Sequence, residues 1–347
     1  YCFFSKFASL ICIFQQKIVT LHSICIVGNM TNKEIYREFC HCNPNLPIFI
    51  TDWWMDAVCA GKQWDVLLHF NANGEIQAAL IYLLRKRAWM KYIIMPQLTQ
   101  MGGIWISDTL TNEKIIVDIC QQFSQQLENL GLSYYYQHYP INSPAVAAMQ
   151  ALGFKTNLRI TYRIEDLSNL DNVIQRFSKN KKRQLHKAQS LRVKMDMSVE
   201  EFYRFHTKCL QKQRKQISYT REFLLVLERK AHRIDQSQII AICDKNDNVL
   251  AAAFVVWDHQ SLYYLIPCYD PDYKTHGASA LLVLEAIKLA QQKGVIFDFE
   301  GSMIPGVANH YQQFGSTPTV YCSVEKYYKW WFWLAMQINH WRERHQR

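Results

Sequence analysis

The chain has 347 residues, of which 49% are hydrophobic and 20% charged, with a formal net charge of +10 and a pI near 9.0. This is the profile of a folded globular protein rather than a disordered one, and the length suffices for two domains with buried cores. The positive balance favours an anionic partner such as a nucleotide, tRNA, polyphosphate or an acidic membrane surface.

The chain opens at Tyr1 and its first methionine is Met30. Residues 1–29 are apolar and rich in cysteine, but Lys6 and Gln15-Gln16-Lys17 interrupt them well short of a membrane-spanning stretch. They are expected to be an upstream extension, with the working protein starting near Met30. Eleven scattered cysteines without a CxxC pair suit buried thiols in a reducing compartment, so a cytoplasmic location is expected. Cys40-His41-Cys42 has no matching second half, and no metal is expected. "DWWMDAV" then places Trp53 and Trp54 side by side, as core residues or as a binding wall.

Two stretches follow one plan. Residues 65–103 read "DVLLHFNANGEIQAALIYLLRKRAWMKYIIMPQLTQMGG", and residues 238–279 read "QIIAICDKNDNVLAAAFVVWDHQSLYYLIPCYDPDYKTHGAS". Each is an apolar strand, an Asn/Asp/Gly turn, a small-residue strand, a charged turn, a third strand and a Pro/Gly loop. Each continues with a helix, over Asn112–Leu130 and Ala278–Lys293, stopped by Gly131 and Gly294. Each then has a strand ("SYYYQHYP", "VIFDFEGS"), a short helix and a final strand. The sequence therefore predicts an α/β protein of mixed sheet, built as a first domain over 30–165 and a second over 166–328. An aromatic, basic helix is expected over 329–347.

Between the two lies "RFSKNKKRQLHKAQSLRVK". Arg176 to Lys194 hold eight Lys or Arg and no acid. Lys179, Arg183 and Lys187 recur on one helical face, while Leu185, Ala188 and Leu191 fall on another, with Ser178 as the cap. This is either a solvated face of an interdomain helix or a phosphate-contacting one, with Arg183 and Lys187 best placed. A tRNA acceptor stem suits the same patch.

"VIFDFEGSM" puts Asp298 and Glu300 two residues apart on one strand face, about 7 Å from each other. They either pair with cations of the basic helix or move protons. In the second case a wall of Phe297, Phe299, Tyr263 and Tyr264 is expected to raise one pKa, and Glu300, nearer the turn, is the better base. "YKTHGASALL" runs from a loop into a helix, so Lys274, Gly277, Ala278 and Ser279 form either a plain helix start or a phosphate cradle. The C-terminal "YYKWWFWLAMQINHWRERHQR" either packs on the second domain or lies on a membrane surface, with Arg342, Arg344 and Arg347 near anionic lipid.

This order of elements, with Gly153-Phe154 at a helix-to-strand junction, resembles the GNAT acyltransferase fold. Two such units joined through a basic helix resemble the FemAB-type, peptidoglycan-bridge-forming branch. The stretches that carry the resemblance are "PIFITDWWMDAVC", "MPQLTQMGG", "FSKNKKRQLHKAQ", "GASALLVLEAIKLA" and "FDFEGSMIPGVANHYQQFG", from Pro47 to Gly315. Two features of bridge-forming members are missing. There is no long coiled-coil hairpin, and Tyr311-Gln312-Gln313 stand where those members have a basic residue before Phe-Gly. The resemblance implies an N-acyltransferase taking its acyl group from acyl-CoA, with aminoacyl-tRNA as the alternative donor. Lys274, Gly277, Ala278 and Ser279 would then be a degenerate pyrophosphate loop. Trp53 and Trp54 would border an acceptor cleft for a small-molecule, peptide or lipid amine, and Arg183 and Lys187 would meet substrate phosphate. A GNAT-fold binding module without catalysis, and a nucleic-acid binder built on the basic run, are the competing classes.

Overall fold

The computed structural model describes residues 30–59 and 64–345, so the 1–29 extension expected from the sequence lies outside the described residues. The two repeated stretches begin with the same hairpin chemistry. In the first, Asn71 Oδ1 accepts from the Asn73 and Glu75 amides. In the second, Asp244 Oδ1 accepts from the Asn246 and Asn248 amides. A side chain that satisfies two turn amides at once fixes the register of the strands on either side.

Those hairpins seed one sheet. The first stretch supplies β1 (Trp64–Phe70), β2 (Ile76–Arg87), β3 (Met90–Ile94), β4 (Ile104–Ile106), β5 (Tyr134–Tyr139) and β6 (Lys155–Ile164). The second supplies β7 (Arg192–Lys194), β8 (Ser237–Cys243), β9 (Val249–Trp257), β10 (Ser261–Tyr269), β11 (Ile296–Asp298) and β12 (Thr317–Tyr327). The order is β1-β2-β3-β5-β12-β6-β11-β10-β9-β8-β7, with β4 beside β2. Among the described residues only β3–β5 and β10–β11 run parallel.

This order departs from two self-contained units. The last strand of each stretch is exchanged. β12 lies between β5 and β6, pairing Cys322 with Tyr139 on one side and Val320 with Ile160 on the other. β6 in turn pairs with β11 of the second stretch.

Helices cover both faces. The first stretch contributes α1 (Asn32–Cys42), α2 (Asp52–Cys59), α3 (Glu113–Asn129) and α4 (Ala145–Ala151). The linker and second stretch contribute α5 (Leu170–Arg176), α6 (Lys179–Lys187), α7 (Val199–Lys212), α8 (Arg221–Arg233), α9 (Ala278–Lys293), α10 (Pro305–Gln312) and α11 (Trp330–His345). Strand alternation sorts the apolar side chains into layers. Ala79 and Ile81 of β2 and Ala252 and Phe254 of β9 point into one shared core with α1, α2, α7 and α8. Their neighbours point the other way, Leu80 onto α3 and α4, and Ala253 and Val255 onto α9. Strands buried on both faces read as unbroken apolar runs, as "VLAAAFVVW" does.

The basic helix forms as the pattern predicts, with Ser178 Oγ accepting from the Lys181 amide. The C-terminal helix is pinned by Phe332, which packs on Tyr92 and Tyr134 at ring separations of 5.9 and 5.5 Å. Trp330 nevertheless stays 76% exposed, and Trp333, Leu334 and Ile338 are exposed too. The side chains of Arg342, Arg344 and Arg347 lie outside the described residues. Among the described residues no helix is long and apolar enough to cross a membrane.

Candidate active site

A cavity of about 220 Å³ opens where the stretches meet, its walls drawn from both. The second stretch supplies Glu300 to Met303 and Tyr321; the first supplies the Pro96–Gln100 loop, His138, Arg159 and Ile160.

The second-stretch wall exists because a strand breaks. β11 pairs with β6 only at Phe297–Ile164 and Asp298–Arg163. Glu300 then takes φ +64°, left-handed backbone that is uncommon for a residue with a side chain. Gly301 follows at φ +71°, so close over β6 that a Cβ there would collide with the Ile160 carbonyl. Asp298 organises the break. It is fully buried, accepts from the Thr161 hydroxyl and from the Glu300 amide, the latter at 2.8 Å, and pairs with Arg163 Nε at 3.3 Å. Burial holds its carboxyl above the ordinary value of 3.8, and these partners offset only part of that rise.

The regular alternation expected for Asp298 and Glu300 therefore stops at Asp298. Their wall also differs from the expected one. Phe297, Phe299, Tyr263 and Tyr264 are buried core residues, and the cavity is walled by Arg159, Ile160 and Tyr321 instead. Glu300 itself faces the cavity. The residue is half-buried, but its Oε1 is cut off from solvent and has no hydrogen-bond partner. Burial first, then the Asp298 charge, push its carboxyl well above the ordinary value of 4.5. Asp298 stays behind the wall.

The first-stretch wall is a loop held from behind. Trp54, fully buried, donates Nε1–H to Thr99 Oγ1 at 3.0 Å. Gln97 reaches the Ser218 carbonyl at 2.8 Å, and Gln100 Nε2 donates to Thr161 Oγ1 at 3.2 Å. His138 Nδ1 lies 2.8 Å from the Gln100 carbonyl. A carbonyl only accepts, so Nδ1 carries the proton and Nε2 accepts from the Tyr136 hydroxyl at 3.0 Å. Burial is the main cause that lowers the His138 pKa to about 4, so the ring is neutral at pH 7. Arg159, from β6, stands opposite Tyr321 of β12 in the ladder.

The other residues singled out from the sequence fall elsewhere. Trp53 packs against the shared core at 5.6 Å from Trp54, and neither lines the cavity. Gly277 is the N-cap of α9 in left-handed conformation. The Gln184 carbonyl of α6 lies against it where any Cβ would sit, so close helix packing accounts for that glycine. Ala278 is buried, Lys274 is exposed, and Ser279 makes no cap hydrogen bond. Arg183 and Lys187 are exposed on α6, and Arg183 donates to Asn180 Oδ1 at 3.1 Å.

Gln100, His138, Arg159 and Tyr321 are among the cavity residues that the sequence did not single out. Nothing local marks Gln100, a loop glutamine. Lys181 is a further surprise. It is buried, with Nζ 3.2 Å from His310 Nδ1 and 4.6 Å from the Phe314 ring centre, and burial lowers its pKa to about 8. Its position one turn before Leu185, on the apolar face of the basic helix, is the signal that would have found it. Among the described residues no group of three or more His, Cys, Asp or Glu is placed to hold a metal.

Residues 175–313 match the model of the acetyltransferase (GNAT) domain. The fold is similar to the crystal structure of FemX, with TM-score 0.64 at 12% identity, covering 85% of this chain and 96% of that one. It is also similar to the C-terminal domain of a putative lysylphosphatidylglycerol synthetase from Agrobacterium fabrum, with TM-score 0.54 at 10% identity, covering 85% and 92%. A tandem GNAT protein from the clavulanic acid biosynthesis pathway aligns with TM-score 0.50 at 11% identity, covering 76% and 82%. No curated protein is recognisably similar in sequence. Residues 175–313 are thus similar to a GNAT acetyltransferase domain, in a chain whose fold is similar to those of FemX and of a tandem GNAT protein.

Proposed function

We infer that the chain is an N-acyltransferase that moves an acyl group from an acyl-CoA-type donor to an amine seated in the cavity against Glu300. The observation that carries this reading is the Glu300 carboxylate oxygen, buried without a partner in a cavity built by both stretches. A base is useful when its pKa approaches the working pH, and burial moves Glu300 in that direction. Glu300 takes a proton from the acceptor ammonium, and the freed amine attacks the thioester carbonyl. The C–N bond forms as the C–S bond breaks, and the thiolate leaves to be protonated.

The donor is assigned to the second stretch. Lys274 and Ser279 are accessible beside the first turn of α9, whose N–H groups and dipole favour phosphate. Titration of the full chain with acetyl-CoA and a longer acyl-CoA tests this assignment. Binding weakened in Lys274→Ala with Ser279→Ala supports it, and unchanged binding removes the donor from α9. Gly277 is unsuitable for this test because its substitution would displace α6. Transfer itself is tested by an acyl-transfer assay of the parent beside Glu300→Gln: loss in the variant supports Glu300 as the base, transfer that survives the change removes that role, and no transfer by the parent leaves a binding module in place of an enzyme.

A second donor, aminoacyl-tRNA with a peptidoglycan-type acceptor, is favoured by one observation. Lys179, Lys182, Arg183 and Lys187 of α6 all face solvent. Retention of tRNA on a gel, falling steeply with salt and lost in Arg183→Gln with Lys187→Gln, would establish it.

The location that fits is the cytoplasm, with contact to the inner face of the membrane. Trp330, Trp333, Leu334 and Ile338 form an exposed stripe on α11, and Trp89, 83% exposed, tips the β2–β3 hairpin between Lys86, Arg87 and Lys91. Phe332 ties the helix to β3. Sedimentation with anionic vesicles, reduced in Trp89→Ser with Trp330→Ser, is the expected outcome.

A further inference from the structure

Three residues that line the same cavity each hold a buried polar atom with no hydrogen-bond partner: Gln100 Oε1, Glu300 Oε1 and Arg159 Nε. Gln100 is only 6% exposed. Its orientation is set by a relay. Asp298 takes the Thr161 hydroxyl proton, so the hydroxyl oxygen accepts from Gln100 Nε2, and Oε1 is left pointing away from that chain. Two of the three atoms accept and one donates. A buried atom left unpaired costs about 1–3 kcal/mol, so the cavity is shaped for a ligand that supplies the missing complements.

The complements differ in kind. Oxygen acceptors on Gln100 and a carboxyl on Glu300 call for N–H donors, as an amine provides. Arg159 calls for an anion. Among the described residues it has no carboxylate within ion-pair distance. Tyr321, the ladder partner of Arg159, lines the cavity with Glu300. Burial raises its phenol, a hydrogen bond with Arg159 lowers it, and Glu300 raises it again. The cavity of about 220 Å³ falls below the ~300–1,000 Å³ of pockets for larger ligands and matches about seven water-sized groups.

We propose that the acceptor is a small amine that carries its own acidic group a few bonds away, its N–H groups held by Gln100 and Glu300 and its acid by Arg159. The proposal rests on the reading of this cavity as the acceptor site. It narrows that reading from amines in general to aminocarboxylates and aminophosphates.

Calorimetric titration of the full chain with γ-aminobutyrate against butylamine, and phosphoethanolamine against ethanolamine, tests it. The acid-bearing member of a pair should bind roughly 10- to 100-fold more tightly, and the pair that shows this tells carboxylate from phosphate. Arg159→Gln should erase the preference, and Arg159→Lys should restore part of it. Gln100→Leu should weaken both members of a pair alike, a result that stands even where Arg159→Gln fails to fold. Equal binding within both pairs, a preference that survives Arg159→Gln, or no binding by any probe overturns the proposal. An acyl-transfer assay beside the titration separates the two ideas. Transfer to plain and acidic amines alike sinks this proposal and leaves the transferase reading standing. An Arg159-dependent preference without transfer from any donor does the reverse.

Discussion

The two stretches share a plan but end their parallel strand differently. In the first, β5 runs unbroken through Tyr139 and is paired along its length with β12. In the second, β11 ends at Asp298 after two ladder pairs with β6, and the chain turns through Glu300 in left-handed backbone. The first strand serves as a wall and contributes a neutral, fully bonded His138. The second opens a gap and leaves a carboxylate in it without a partner. Repetition gives the protein a stable sheet, and the departure from repetition gives it a site. Satisfied polar groups hold shape, while unsatisfied ones are where ligands and chemistry are expected.

Removing the difference at the carboxylate should have the largest effect. Glu300→Gln should lower kcat about 10²- to 10⁴-fold and abolish the rising limb of the pH profile. His138→Gln, on the matching strand of the first stretch, should cost less than about tenfold. Comparable losses at both positions would mean that the strand break is not what makes the site.

Gly301→Ala attacks the break itself. It adds the left-handed cost to a collision with the β6 backbone, together about 2–5 kcal/mol, read from the urea midpoint. A loss below about 1 kcal/mol would show that the turn has room to relax.

Lys181→Met should stabilise the protein at pH 7 by about 1–3 kcal/mol, since a buried ammonium loses hydration without a carboxylate partner. The folded-state pKa is lowered from 10.5 to about 8, so the penalty is full below 8 and fades as pH rises towards 10.5. A gain that does not shrink over that window would point to packing rather than charge.

Trp54→Phe keeps the ring but removes the hydrogen bond to Thr99. An effect of about 0.5–1.5 kcal/mol is expected, seen in KM for the acceptor more than in kcat.

The smallest effect concerns stability and pH. A carboxyl whose folded pKa is raised is tolerated while protonated, and its contribution is lost as pH climbs above the unfolded value of 4.5. The Tm of Glu300→Gln relative to the parent should therefore rise with pH from about 4.5 upward. A constant difference would mean that Glu300 ionises as freely in the folded chain as in the unfolded one.

What could be read from the sequence was local. Asn71 and Asp244 marked their turns, Ala278–Lys293 formed the expected helix, Ser178 capped the basic one, and Glu300 reached the cavity. What could not be read depended on long-range pairing. An alternating pattern such as "NLRITYRI" shows that Arg159 and Thr161 share a face, but not which strand will lie beside them. The exchange of β6 and β12 was therefore hidden, and with it the partner of Tyr321. Gln100 was hidden for a different reason: a loop glutamine acquires its meaning only from Thr161 and Asp298 across the cleft.

The exchanged strand also bears on how such a chain is made. β12 begins at Thr317, yet it fills the gap between two strands synthesised long before it. The Tyr134 hydroxyl waits for Glu325, 191 residues later, to receive its proton. Until translation reaches that point, β5 and β6 present unpaired edges to any neighbouring strand. Assembly of the cavity, one wall of which is Tyr321, must therefore wait for β12, and nascent chains are expected to need protection from edge-to-edge association until that strand has been synthesised.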